Sequence, residues 1–155
     1  MTQELLEMIA QDPRAFLRRN RRTQDRINIK RRRLEELARV SVSITQAVKP
    51  VVVYTGPGDK IGECAIEMAD LRDELLDEIA ELENIQRETG EAIRLLLKDE
   101  TLKALLEAYY LAGMSWEEIA YTMHYAYRWV MRLHKKALKI MQDEAKALTQ
   151  SVQND

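Results

Sequence analysis

Residues 113–141, with the sequence GMSWEEIAYTMHYAYRWVMRLHKKALKIM, carry the most specific structural signal in this chain. Gly113 stands where a preceding helix would end in a left-handed residue. Ser115 and Glu118 then form the S-x-x-E pattern of a capping box, which marks the first turn of a helix. Residues 123–126 predict a turn, after which apolar side chains again recur at helical spacing. The stretch therefore predicts two helices joined by a tight turn, a helix-turn-helix.

The second of these helices is predicted to have one apolar face and one basic face. The side expected to pack inward carries Val130, Leu133, Ala137 and Leu138. The opposite side carries Tyr127, Arg128, Met131, Arg132 and Lys135, with Lys136 and Lys139 toward the flank. A helix in the major groove needs this arrangement, because cations bind phosphates while side chains near its N-terminus reach base edges. We therefore predict double-stranded DNA as the ligand. An ordinary amphipathic helical pair with a solvated basic face is the alternative.

The same stretch resembles region 4 of bacterial sigma factors, which reads the upstream promoter element. The matching residues are Glu117, Glu118, Ile119, Ala120, Val130, Leu133, Lys136, Ala137 and Leu138. A wider frame is similar to a family of small phage and prophage proteins, themselves similar to ArpU- and RinA-type late transcription regulators. Its signature is matched by Tyr110, Leu111, Gly113, Ser115, Trp116, Arg128, Trp129, Val130, Arg132, Leu133, His134, Ala137 and Leu138. The coil-like segment from about residue 59 also resembles that family. The resemblance implies a role in transcription control.

Two positions depart from the sigma-like pattern. His124 stands in the turn where Gly is frequent, and His tolerates a positive φ better than most residues do. Ala126 stands where Ser or Thr would cap the second helix, and the loss of such a cap typically costs about 1 kcal/mol. We therefore expect the fold to persist, with a changed reading of promoter-like DNA.

Composition predicts an all-α protein. The 155 residues include only five Gly, three Pro and one Phe, and 46% of the residues are hydrophobic. The chain lacks the ~18 consecutive apolar residues of a membrane span and the basic, then apolar, start of a signal peptide. Its single cysteine, Cys64, excludes an internal disulfide and suits a reducing compartment. We expect a protein of the bacterial host cytoplasm without a membrane association.

Charge is segregated along the chain although the net charge is only −2. Residues 13–48 carry 11 basic and 3 acidic side chains, and residues 60–98 carry 5 basic and 11 acidic ones. Both segments also show apolar residues at alternating three- and four-residue steps, which is the pattern of a coiled coil. Lys49-Pro50 and the Gly-Pro-Gly of residues 56–58 interrupt the pattern. We therefore predict an antiparallel hairpin of two long, oppositely charged helices.

The predicted fold is a long, coiled-coil-like helical hairpin followed by a small three-helix domain with the sigma region 4-like helix-turn-helix. Residues 1–98 form the hairpin region, with helices at about 13–48 and 60–98, a loop at 49–59 and a short helix near 2–11. A bend or break is possible near Gly90, because Gly weakens a helix interior. Residues 99–146 form the helix-turn-helix domain, in which a helix 99–112 packs Leu102, Leu105, Leu106 and Tyr109 beneath the motif. Residues 147–155 are expected to form a frayed tail.

A second basic surface is predicted in the run from residue 14 to residue 33. Its densest part is Arg18, Arg19, Arg21 and Arg22. One interpretation is a further nucleic-acid surface whose affinity falls steeply with salt. The other is a solvated face that complements the acidic helix or a partner subunit, and Arg31–Arg33 fit that pairing better. The apolar run Val51–Tyr54 would either contact a partner, which we favour, or fold back on the hairpin.

The remaining side chains do not predict catalysis or a cofactor. His124 and His134 are ten residues apart without a neighbouring cysteine, so we expect a turn residue and a helix-flank residue rather than metal ligands. The carboxylates of residues 63–91 alternate with apolar positions as a solvated face does. No phosphate-binding loop, nucleophile elbow or zinc-protease motif is present. We expect packing rather than base contact for Trp116 and Trp129. An enzyme, a metal, a cofactor and a small-molecule substrate are not expected.

The leading hypothesis is therefore a sequence-specific DNA-binding regulator of phage or prophage transcription. Tyr127, Arg128, Met131 and Arg132 would face bases, and Lys135, Lys136 and Lys139 would bind phosphates. The coiled coil would form a homo-oligomer or contact RNA polymerase. One alternative is a component of phage DNA packaging similar to small terminase subunits, which rings of about eight or more chains would favour. Another is a protein-binding adaptor, which absent DNA binding at low salt would favour.

Overall fold

The protein is all-helical, as predicted. The computed structural model describes residues 1–47 and 60–154, with the side chains of residues 44–47 and 61 left out, and these residues contain no strand. The helices are α1 (Gln3–Gln11), α2 (Pro13–Ala47), α3 (Lys60–Leu96), α4 (Glu100–Leu106), α5 (Trp116–Met123) and α6 (Tyr127–Gln153). A π-helical segment, Glu107–Leu111, follows α4. The predicted loop at 49–59, with Val51–Tyr54, lies outside the described residues. None of the described helices has the length and apolar character needed to cross a bilayer.

The chain divides into two compact units. The core unit comprises Met1–Arg22 and Leu82–Asp155, and the paired-helix unit comprises Thr23–Glu81. Both long helices therefore contribute to both units. This division differs from the predicted boundary after residue 98, because the last turns of α3 and the first turns of α2 pack with the C-terminal helices.

The core unit is built around apolar side chains from α1 to α6. Its fully buried large members include Ile9, Phe16, Leu17, Ile93, Leu97, Leu102, Leu105, Leu106, Ile119, Val130 and Met141. Asp12 joins α1 to α2, since its N–H donates to the Met8 carbonyl oxygen and its carboxylate accepts from the Ala15 N–H, both at 3.0 Å. The Gln142 amide of α6 donates to the Ala10 carbonyl oxygen at 3.0 Å and so ties α6 to the end of α1.

Two helix boundaries differ from the prediction. Helix α3 passes through Gly90 without a break, and the Gly90 Cα lies in a buried stretch. Helix α6 continues to Gln153 instead of ending near 146, so residues 147–153 are helical rather than a frayed tail. The reason is that Ala145 is buried and Leu148 packs against the core, which prolongs the apolar face of α6 to Leu148.

The paired-helix unit has a narrow seam with ion pairs along it. Its fully buried side chains in the described residues are Thr23, Ile27 and Leu37. Arg26 pairs with Glu81 at 3.3 Å, Lys30 with Glu78 at 2.6 Å and Arg33 with Glu67 at 3.0 Å. The residue number of the glutamate falls from pair to pair as that of the cation rises, so within this unit α2 and α3 run antiparallel. The hydrogen bond with Glu78 raises the pKa of Lys30.

Candidate functional site

The start of α5 is set by the local sequence. The Ser115 hydroxyl accepts from the Glu118 N–H at 3.2 Å, and the Glu118 carboxylate accepts from the Ser115 N–H at 2.8 Å. This reciprocal pair is the predicted capping box, and it satisfies two backbone donors at the end of the helix. Gly113, with φ of 73°, adopts the predicted left-handed conformation before it.

The turn between α5 and α6 contains the three residues His124, Tyr125 and Ala126. His124 ends α5 in the left-handed region, with φ of 59° and ψ of 38°. The Tyr125 N–H donates to the Ala120 carbonyl oxygen at 3.0 Å and closes the turn. Ala126 occupies the cap position of α6 and makes no side-chain cap. Both departures from the sigma-like pattern are therefore accommodated in a tight turn.

The inner side of α6 holds the helix against the core. Val130, Leu133, Ala137 and Leu138 are all buried, as their spacing predicted. Buried Ile119 and Ala120 of α5 belong to the same apolar cluster. Because α6 is held along this side, its opposite side is presented in a defined orientation.

The outer side of α6 forms an open groove of about 230 Å³. Its lining consists of Tyr127, Arg128, Met131, Arg132 and Lys135. These are five of the seven residues that the sequence predicted to face DNA, and none of the lining residues is acidic. Lys136 and Lys139 are exposed beyond the groove, and Lys139 pairs with Asp143 at 3.6 Å. The groove thus offers three cations, a phenol hydroxyl and a thioether on one helix face.

Trp129 lies outside the core, so that of the predicted core or interface packing only the interface alternative stays a prediction. Its side chain is 47% exposed, although its neighbour Val130 is fully buried. Position 129 lies away from both the apolar side of α6 and the groove lining. Trp116, in contrast, packs as predicted, since its ring stacks on Tyr109 with centroids 3.8 Å apart.

A cluster of aromatic rings lies where the π-helical segment meets α5 and α6. It forms where the π-helical segment ends α4 and turns Tyr110 into the core, while Tyr109 reaches Trp116. The Tyr110 hydroxyl and His134 Nε2 are hydrogen-bonded at 2.9 Å, and the Trp116 and His134 rings lie 4.5 Å apart. His134 is thus buried, and the prediction that it lies on the flank of the helix is wrong. The π-helical segment extends each hydrogen bond by one residue and so shifts which side chains face inward.

Burial also determines the protonation of this cluster. Desolvation, together with the smaller effect of the charges of Arg14 and Arg18, lowers the pKa of His134 to about 4. Desolvation likewise raises the pKa of Tyr110 to about 12. At neutral pH the pair is therefore an uncharged histidine and an uncharged phenol, which is the state a buried hydrogen bond favours.

The predicted second basic surface is divided by the structure. Arg19 pairs with Glu88 at 3.0 Å and lies over the Phe16 ring. Arg21 donates to the Tyr109 carbonyl oxygen at 3.0 Å, with its guanidinium 4.3 Å from the Tyr109 ring centroid. Arg18 and Arg22 are exposed. The four residues therefore do not form one surface, because two of them hold α2 to other helices of the core unit.

A seven-residue spacing in the sequence could have identified Arg19 as the ion-pair partner of a glutamate in α3. Arg19, Arg26 and Arg33 recur every seven residues in α2, and Glu67, Glu74, Glu81 and Glu88 do so in α3. The arginines of the α2 series pair with glutamates of the α3 series, Arg19 in the core unit and Arg26 and Arg33 in the paired-helix unit. Flanking heptad positions are where coiled coils place such pairs. The buried hydrogen bond of His134 had no comparable signal, since Tyr110 is 24 residues away.

The search for known relatives found no matching family model, curated protein or solved structure. Function is therefore inferred from the side chains of this chain. Within the described residues, no three His, Cys, Asp or Glu side chains come together as ligands for a metal ion.

Proposed function

We propose that this protein binds double-stranded DNA in a sequence-specific manner through α6 and regulates transcription. The observation that carries the proposal is the groove lined by Tyr127, Arg128, Met131, Arg132 and Lys135. It begins at the first residue of α6, directly after a tight turn. Recognition helices contact base edges with residues of this N-terminal part.

The chemistry of the groove suits the edges of base pairs. The guanidinium groups of Arg128 and Arg132 can each donate two hydrogen bonds to a guanine, and Met131 offers an apolar contact for a thymine methyl group. Tyr127 can donate or accept at a base edge. Lys135, with Lys136 and Lys139 on the flank, supplies cations for phosphates, which position the helix without reading sequence.

The wider arrangement in this proposal is a helical hairpin joined to a three-helix domain with a sigma region 4-like motif. The resemblance to phage and prophage regulators supports the assignment to transcription control. In this arrangement the antiparallel α2 and α3 provide a surface for a second copy of the chain or for RNA polymerase.

The test is a selection of binding sites from random duplexes, followed by gel shifts with the selected duplex and an unrelated one. Arg128→Ala with Arg132→Ala should lower affinity for the selected duplex by ~30-fold or more, because each bidentate base contact contributes about 1–3 kcal/mol. The preference over the unrelated duplex should disappear, and the circular dichroism of the helices should not change.

The matched control is Arg31→Ala with Arg32→Ala, which removes two exposed arginines from the paired-helix unit. This variant should keep the preference for the selected duplex. Wild-type protein that selects no duplex at low salt would refute the proposed function. Retained preference in the Arg128 and Arg132 variant would refute the assignment of the groove.

A further inference from the structure

Two arginines near the start of α2 have no structural task in the described chain. Arg14 and Arg18 are exposed, and neither forms an ion pair within residues 1–47 and 60–154. Their neighbours Arg19 and Arg21 are both engaged inside the core unit. Uncompensated cations next to each other on a fixed helix favour the binding of an anion.

Helix geometry places these two arginines on the side of α2 that carries Arg21. Residues three, four and seven apart share a helix face, and Arg14, Arg18 and Arg21 have these separations. Arg21 is held to Tyr109 by a hydrogen bond of 3.0 Å and by its position over the ring. Tyr109 in turn stacks on Trp116, the first residue of α5. The face with Arg14 and Arg18 is therefore fixed next to the aromatic cluster.

The same face lies close to α6. Arg21, on the face that carries Arg14 and Arg18, lies over the Tyr109 ring, and the centroid of that ring is 6.2 Å from the centroid of His134, a residue of α6. Tyr127 and Met131 precede His134 by seven and three residues, which places them on the neighbouring helix face, and both line the groove. His134 thus lies at the border between the core side and the groove side of α6. Arg14 and Arg18 are consequently near the border of the groove from which α6 would contact bases.

We propose that Arg14 and Arg18 bind phosphates of the DNA backbone beside the base pairs that α6 reads. This inference rests on the proposed function and adds a second contact element, α2, to that interface. The Cα atoms of the two residues are about 6 Å apart along the helix axis, given a rise of 1.5 Å per residue. They would position the duplex against α6 without reading sequence, because phosphates are the same at every base pair.

The experiment measures affinity against salt concentration for the full-length chain, using the selected duplex and an unrelated duplex of equal length. Arg14→Gln with Arg18→Gln should reduce the slope of log affinity against log salt by about 2, since each lost phosphate contact removes ~0.9. The affinity should fall by the same factor for both duplexes, so the sequence preference stays. Glutamine keeps the helical propensity and removes only the charge.

Arg31→Gln with Arg32→Gln is the matched control, with the same helix, the same exposure class and the same change in charge. Its slope should equal that of the wild type. An unchanged slope for the Arg14 and Arg18 variant, or an equal change in the control, would overturn the inference. So would a loss of preference between the duplexes, which would assign the two arginines to base reading.

The two proposals fail in different ways. If the wild type binds neither duplex, the proposed function and this inference both fall. Only this inference falls if three results occur together. The wild type binds DNA, the variant with Arg128→Ala and Arg132→Ala loses the sequence preference, and the variant with Arg14→Gln and Arg18→Gln keeps the salt slope of the wild type. Equal circular dichroism spectra show that each variant is folded.

Discussion

The two units of this protein are stabilised in different ways. The core unit buries apolar side chains from every described helix and contains one buried histidine–tyrosine pair. The paired-helix unit fully buries only three described side chains, Thr23, Ile27 and Leu37, and places ion pairs beside them. Apolar burial contributes about 25 cal/mol per Å², whereas exposed ion pairs contribute little. The groove is therefore carried by the unit with the larger apolar core, and the pairing of α2 with α3 in the other unit has less apolar burial to stabilise it.

The largest expected effect is the loss of a side chain from the core unit. Leu105→Ala should lower the free energy of unfolding by about 2–5 kcal/mol, because Leu105 is fully buried and leaves a cavity. Leu76→Ala in the paired-helix unit should change it by less than ~0.5 kcal/mol, because Leu76 is 64% exposed. Chemical unfolding followed by circular dichroism measures both. Equal effects of the two substitutions would contradict the comparison.

Acid should next destabilise the core unit through His134. The neutral side chain is favoured in the folded state, with a pKa of about 4, while the unfolded chain takes up a proton below about 6.5. The contribution of neutral His134 to the free energy of unfolding is therefore fully present above pH 6.5. It is lost as the pH falls toward 4, by on the order of 2 kcal/mol. His134→Gln should remove this part of the pH dependence in unfolding curves between pH 7 and 4. His124→Asn, in the exposed turn, is the control and should retain it; identical pH profiles for His134→Gln and the wild type would exclude the mechanism.

The smallest expected effects concern the ion pairs of the paired-helix unit. Glu78 is 14% exposed and accepts from Lys30 at 2.6 Å, whereas Glu81 is 53% exposed and, among the described residues, has its one ion pair with Arg26 at 3.3 Å. Glu78→Gln should lower the Tm by roughly 3–6 °C, because it weakens a partly buried charged hydrogen bond. Glu81→Gln should shift it by no more than ~2 °C. Calorimetry of the two variants measures both Tm shifts. A larger Tm shift for Glu81→Gln than for Glu78→Gln would contradict the prediction that the Glu78 contact stabilises the unit more.

The local features of the candidate site could be predicted from the sequence. The capping box of Ser115 and Glu118, the left-handed Gly113 and the uncapped Ala126 involve residues only a few positions apart. The groove is likewise a single face of α6, and its five lining residues all belong to the predicted set. Helical periodicity determines such a face without knowledge of any partner. DNA binding itself remains a proposal that the gel shifts test.

The features that were missed depend on residues far apart in the chain. The 47% exposure of Trp129 depends on which side of α6 faces the core. For Arg19 and Arg21 the sequence left open a nucleic-acid surface or a face that pairs with the acidic helix, because their partners Glu88 and Tyr109 are 69 and 88 residues away. The π-helical segment, which reorients Tyr109 and Tyr110, has no recognised pattern in EAYYL.

The sequence by itself determined the all-α class, the capping box of α5, the turn between α5 and α6, and the basic face of α6. These follow from backbone hydrogen bonding over three or four residues and from a period of 3.6 residues per turn. Only the tertiary structure decided that His134 is buried and neutral, that Arg19 and Arg21 are bonded to Glu88 and Tyr109, and that Arg14 and Arg18 remain exposed. Burial and ion pairing depend on which helices pack together, and one helix face does not contain that information.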